Sequence, residues 1–143
     1  MSTRNQVGEQ IAGAMQEVIA AAVLTNERIA RSVGLNVVDF QTYGVLLRHG
    51  EPMTPGQVSQ VTELPSSTTT RVLDRLEGKG MVERRPDPDD RRKVWVNPLP
   101  FEEEQVGAAY DEIVRQMSEV HTGFTVAELQ TVLRYLHAMK HIR

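Results

Sequence analysis

Apolar side chains recur at helical spacing from Gln6 to about Arg31, at Val7, Ile11, Ala14, Met15, Val18, Ile19, Ala22 and Val23, so the chain opens with a long helix that Gly34 breaks. Between Val18 and Leu24 that helix is apolar nearly all round, the mark of burial against a second subunit. Asn36 followed by Asp39 is an N-cap with an acidic third position, and it starts a second helix from Val37 to about His49, stopped by Gly50. Thr54-Pro55-Gly56-Gln57 is a capping box with proline at the first helical position, opening a short helix from Pro55 to Glu63. Pro65-Ser66-Ser67 opens a fourth helix that runs through Leu76 into the Gly78-Lys79-Gly80 breaker.

After Gly80 the period changes from helical to alternating. Met81–Arg85 and Arg92–Asn97 read as strands joined by the turn Pro86-Asp87-Pro88-Asp89-Asp90. Pro98-Leu99-Pro100 ends the hairpin. Glu102, Glu103 and Glu104 then favour the positive end of a fifth helix to about His121, closed by Gly123 as a C-cap with Phe124 behind it. A last capping box at Thr125 and Glu128 starts a helix to about Lys140.

Two helices joined by so short a turn as Leu64-Pro65 and followed by a basic hairpin make a winged helix-turn-helix. On the fourth helix Thr69, Val72, Leu73 and Leu76 share one face. The opposite face carries Ser67, Arg71 and Asp74, flanked by Thr68, Thr70 and Arg75. Short hydroxyls and an arginine reach phosphates and base edges without filling a groove, although a plain solvated face has the same composition. The net charge of −3 does not oppose this reading, because Arg71–Lys93 holds eight basic residues against six acidic ones while the remainder carries −5.

Composition narrows the class. At 143 residues the chain fits one domain, 1–143, with a winged helix-turn-helix core over 36–98 and a helical dimerisation region over 1–33 and 101–143. No apolar run is long enough to span a bilayer and the first residues lack a signal-peptide pattern, so a cytoplasmic protein is expected. With no cysteine there is no disulfide framework, thiolate metal site or thiol switch.

Arg71-Val72-Leu73-Asp74-Arg75-Leu76-Glu77, Gly80-Met81-Val82-Glu83-Arg84 and Asp90-Arg91-Arg92 resemble, in order and spacing, the recognition helix, first wing strand and wing signature of the MarR family. The similarity extends to Gly34-Leu35-Asn36 and to the helical ends, over nearly the whole chain. The chain departs from the family pattern with Pro98-Leu99 where Leu-Thr is usual and with Pro65 where a capping serine is common. The resemblance implies a mainly α fold with a small β-hairpin wing, in which the first, fifth and sixth helices of two subunits interlock. It implies a regulator of transcription on double-stranded DNA with an inverted-repeat site, commonly a repressor released by a small-molecule effector, with no catalytic activity and no cofactor. It places Ser66, Ser67, Thr68, Thr70 and Arg71 near the major groove and Arg91 or Arg92 near the minor groove; Arg75 and Lys93 complete the DNA-binding candidates. Asp90 is expected to hold the wing by pairing with Arg75 or Arg92.

Rival readings have less behind them. The hydroxyls from Ser66 to Thr70 lack a nearby His or Lys to activate them, and Asp89 and Asp90 lie in a turn, which disfavours an enzyme. His137 and His141 are four apart on a helix and suggest a metal-responsive regulator, yet no cysteine or suitably spaced acid joins them or His49 and His121, so no metal site is assigned. A winged-helix module that binds only protein is the remaining alternative. Trp95 points away from the core, to cover a helix or line a ligand cleft, and no residue is assigned to a ligand. Met15, Met53, Met81, Met117 and Met139 read as core filler.

Overall fold

The computed structural model describes residues 1–100 and 104–142. The chain divides into two compact units, Met1–Glu103 and Glu104–Arg143. In the first, α1 (Arg4–Ser32), α2 (Val37–His49), α3 (Pro55–Thr62) and α4 (Ser66–Gly78) precede an antiparallel hairpin of β1 (Val82–Pro86) and β2 (Val94–Pro98). The second holds α5 (Glu104–His121) and α6 (Val126–Met139). The expected acidic start of the fifth helix at Glu102 and Glu103 lies outside the described residues.

The caps form as their chemistry requires. The Asn36 side chain accepts from the Asp39 amide, and reciprocal boxes close at Thr54 with Gln57 and at Thr125 with Glu128. A further box, Thr3 with Gln6, starts α1. Gly34 and Gly50 adopt the left-handed conformation that ends α1 and α2, with φ of 71° and 76°. Gly123 does not; the Thr122, Gly123 and Phe124 amides bond three residues back, so the chain leaves α5 through a tightened turn rather than a left-handed cap.

The core of the first unit gathers Leu46 of α2, Val58 of α3, Val72, Leu73 and Leu76 of α4, Met81, Val82 of β1 and Val96 of β2, each at most 1% exposed. Burying each aliphatic side chain contributes about 1.5–3 kcal/mol relative to leaving it in water. Met53 also lies in this core and pairs with Val96 through both backbone bonds, at 3.1 and 2.7 Å, so β2 has a partner on each edge. The strands sit one to two residues later than the alternation suggests, because Met81 bonds back to Leu76 as part of the helix exit. The Tyr43 hydroxyl donates to the Leu99 carbonyl at 2.7 Å and fastens the chain leaving the hairpin to α2.

One polar contact sits at the edge of this core. Asp39 is 1% exposed, and its two carboxylate oxygens each accept from Arg75, from Nε and Nη2 at 2.8 Å. This bidentate pair joins α2 to α4, and its hydrogen bond raises the Arg75 pKa above its ordinary value.

In the second unit Arg115 bridges Glu112 and Glu119 along the solvated side of α5, and with Gln116 it pulls the Glu112 carboxyl down to about 2. Tyr110, Val114, Met117 and Val120 of α5 and Val126, Val132, Leu133 and Leu136 of α6 are exposed in the single chain, as are Val18, Ile19, Val23 and Leu24 of α1. Of the methionines expected in a core, Met53 and Met81 are buried, Met15 and Met139 are half-buried and Met117 is exposed.

The Asp39–Arg75 pair has an asymmetric consequence. Arg75→Ala strands a buried carboxylate and is expected to lower the unfolding free energy by about 1–3 kcal/mol, toward the lower end because the arginine is half-exposed to solvent. Adding Asp39→Ala removes the stranded charge, so the double variant should regain part of that loss in urea denaturation at fixed protein concentration. A double variant less stable than Arg75→Ala alone would contradict this account.

Candidate nucleic-acid interface

The sequence dictates which face of α4 is free. Its apolar positions lie at helical spacing, and Thr69, Val72, Leu73 and Leu76 point inward with at most 1% exposure. The Ser59 hydroxyl of α3 donates to that of Thr69 at 2.8 Å, which holds the two helices of the helix-turn-helix together. The turn between them contains Glu63 at φ 59°, a left-handed position filled without glycine, then Leu64 and Pro65. Pro65 stands at the N-cap of α4 and supplies no side-chain cap to its first turn.

The outward face carries the residues singled out from the sequence. Ser66, Ser67, Thr70 and Arg71 are exposed and Thr68 is half-buried. Thr70 donates its hydroxyl to the Ser66 carbonyl at 3.0 Å and stays close to its own helix. Arg71 makes no ion pair among the described residues, which leaves all five guanidinium donors open. Arg75 differs from expectation: its fork is engaged on Asp39, so it anchors α4 instead of joining Arg71 on the free face, and it is not the partner of Asp90.

Arg84 of β1 is the polar link between wing and helix. It donates to Asp74 at 2.7 Å, lies 3.7 Å from Glu77, and reaches the Thr70 carbonyl at 3.4 Å. Two carboxylates of α4 are thus partnered by one guanidinium on the side that carries Arg71.

The wing tip is organised by Asp87, within the turn between the strands. One carboxylate oxygen accepts from the amides of Asp89 and Asp90, at 2.8 and 3.0 Å, and the other accepts from the Trp95 indole at 2.8 Å. The indole bond first, then the backbone amides, hold the Asp87 carboxyl below the usual carboxylate range. Asp90, expected to pair with an arginine side chain, instead accepts from the Arg92 backbone amide at 2.9 Å; among the described residues no guanidinium reaches it. The reason is local: at two residues' separation the carboxylate meets the amide before the longer side chain can fold back. The Trp95 indole is bonded to the wing turn through Asp87, and the Lys93 ammonium lies 4.8 Å from its ring centroid. Arg91 and Arg92 are exposed and make no ion pair among the described residues.

The Asp-Pro-Asp-Asp spacing carried a signal for Asp87, since an aspartate two residues before an unpaired amide forms an Asx turn. Asp39 gave none, because its partner lies 36 residues away. Among the described residues no three His, Asp or Glu side chains gather as a metal site, and no helix is long and apolar enough to cross a membrane.

The sequence profile of the MarR family matches residues 33–93. The chain is 30% identical over 139 residues to the HTH-type transcriptional regulator YcgE of Bacillus subtilis, spanning 95% of this chain and 90% of that protein. It is 28% identical over 138 residues to the HTH-type transcriptional repressor NicR of Pseudomonas putida, spanning 94% and 84%. Its fold is similar to that of a MarR family protein from Bacillus stearothermophilus, with a TM-score of 0.74 and 22% identity over 97% and 96% of the two chains. It is also similar to a MarR variant of Escherichia coli complexed with operator DNA, with a TM-score of 0.61 and 22% identity over 99% and 100%. These relatives regulate transcription and are not enzymes. From the near full-length match to YcgE and the helices and two-stranded wing of the described residues, this chain belongs to the MarR family of winged-helix transcriptional regulators.

Proposed function

We propose that the chain works as a homodimer that binds an inverted-repeat site in double-stranded DNA, as a repressor released by a small molecule. The observation that carries the DNA reading is the pairing of a firmly seated α4, bare on the side of Ser67 and Arg71, with a wing whose Arg91 and Arg92 are uncommitted. Ser66, Ser67, Thr68, Thr70 and Arg71 then face the major groove, and Arg91 or Arg92 meets phosphate or the minor groove. Lys93, drawn over Trp95, adds charge behind them. The role of NicR as a repressor and the operator complex of the Escherichia coli protein support the regulatory part. The effector is not assigned to any residue.

Dimerisation is supported by apolar side chains left exposed on α1, α5 and α6, more than a free surface tolerates. The proposed arrangement assigns 36–98 to DNA and 1–33 with 101–143 to the subunit interface. Sedimentation at micromolar concentration should give a dimer; a folded, stable monomer would contradict the assignment.

The two DNA-contacting elements should differ in how their loss appears. Arg71→Ala is expected to weaken specific binding by about 1–3 kcal/mol and relax sequence preference. Arg92→Ala keeps the backbone bond to Asp90, so it should reduce affinity for all sequences and lower the salt slope by about one unit while preference is retained. Affinity measured against salt, on specific and scrambled duplex, separates the two. If both variants bind like the parent protein, α4 and the wing are not the DNA surface.

A further inference from the structure

The wing loop joins two short strands and carries Arg91 and Arg92 at its end, where an unrestrained turn would sample many shapes. A chain of bonds prevents this. The Trp95 indole N–H and the Asp89 and Asp90 amides converge on Asp87, the Asp90 carboxylate passes the constraint to the Arg92 amide, and the Asp87 amide donates to the Lys93 carbonyl at 2.9 Å. Pro86 and Pro88 flank the carboxylate and stiffen the backbone on both sides. Trp95 is half-buried and faces the turn, with Lys93 over its ring.

We propose that Asp87 and Trp95 are the positioning pair of the wing: the carboxylate, held from β2 by the indole, fixes the tip in the shape that presents Arg91 and Arg92 to phosphate. Neither residue needs to touch DNA. Their contribution is to pay the ordering cost of the loop before binding, so that it is not subtracted from affinity. The proposal rests on the reading that the wing meets DNA.

The chemistry of the contact supplies a test with an internal rescue. An asparagine at position 87 has one acceptor oxygen and one NH2 group. If the oxygen keeps the two amides, the NH2 group opposes the indole N–H, and if it turns to the indole the amides are opposed instead. Asp87→Asn should therefore weaken binding to a mixed-sequence duplex of about 30 base pairs, long enough for two half-sites. The expected loss is roughly threefold to tenfold, the range for ordering one loop side chain on binding, with a shallower salt dependence. Trp95→Phe removes the indole donor and should weaken binding less. In the double variant the oxygen is free to serve the amides, so Asp87→Asn with Trp95→Phe should bind more tightly than Asp87→Asn alone. A role confined to folding would lower the thermal midpoint of the variants without this reversal or the change in salt slope.

Trp95 is the only tryptophan, so fluorescence reports the contact without DNA. Emission of the free Asp87→Asn protein should shift to the red as the indole turns to water, and unchanged emission would contradict the contact itself. If Asp87→Asn and Trp95→Phe both match the parent protein in affinity and salt slope, the pair does not position the wing. If the parent protein fails to bind duplex at low salt, the DNA reading fails and the proposal falls with it.

Discussion

A carboxylate buried among aliphatic side chains must be paired, and this requirement at Asp39 sets the position of the helix on which the function depends. A planar, two-pronged donor satisfies both oxygens at once, and Arg75 does so with two bonds of 2.8 Å. Hydrophobic burial of Val72, Leu73 and Leu76 would tolerate some rotation or sliding of α4, because apolar contact is not directional. The forked bond does not. With Arg75 fixed on α2, Arg71 one turn earlier is directed to the free face, and the hydroxyls of the first turn follow. The pair therefore constrains the register of α4 on α2 through directional bonds that apolar packing does not supply.

The same economy of charge recurs on the outer side. The helix proposed to face the groove carries Asp74 and Glu77, which would repel phosphate, and Arg84 from the wing strand partners both. That contact also ties the hairpin to the helix, so the two elements proposed to meet DNA are joined by one guanidinium. Arg71, Arg91 and Arg92 are left uncommitted, so a protein of net charge −3 still carries open cations on α4 and the wing.

Local chemistry was legible in the sequence and nonlocal chemistry was not. Asn36, Thr54 and Thr125 announce helix starts because a cap and its amide lie three residues apart, and Gly34 and Gly50 announce ends for the same short-range reason. The inward face of α4 followed from spacing alone. The engagement of Arg75 by Asp39 and of Asp74 by Arg84 depends on how elements pack, which no periodicity encodes, so Arg75 looked available for DNA. Asp90 does stabilise the turn, but through a backbone amide, and the larger share falls to Asp87, whose second oxygen finds an indole eight residues on. Gly123 shows that glycine permits a left-handed cap without requiring one.

The central claim, that α4 and the wing read DNA as a symmetric pair, is tested most directly by selecting bound duplexes from a randomised library with the purified protein. The expected result is an enriched inverted repeat with half-sites about one helical turn apart, roughly 10 base pairs between centres. Enrichment of a single asymmetric half-site, or of no sequence at all, would contradict it.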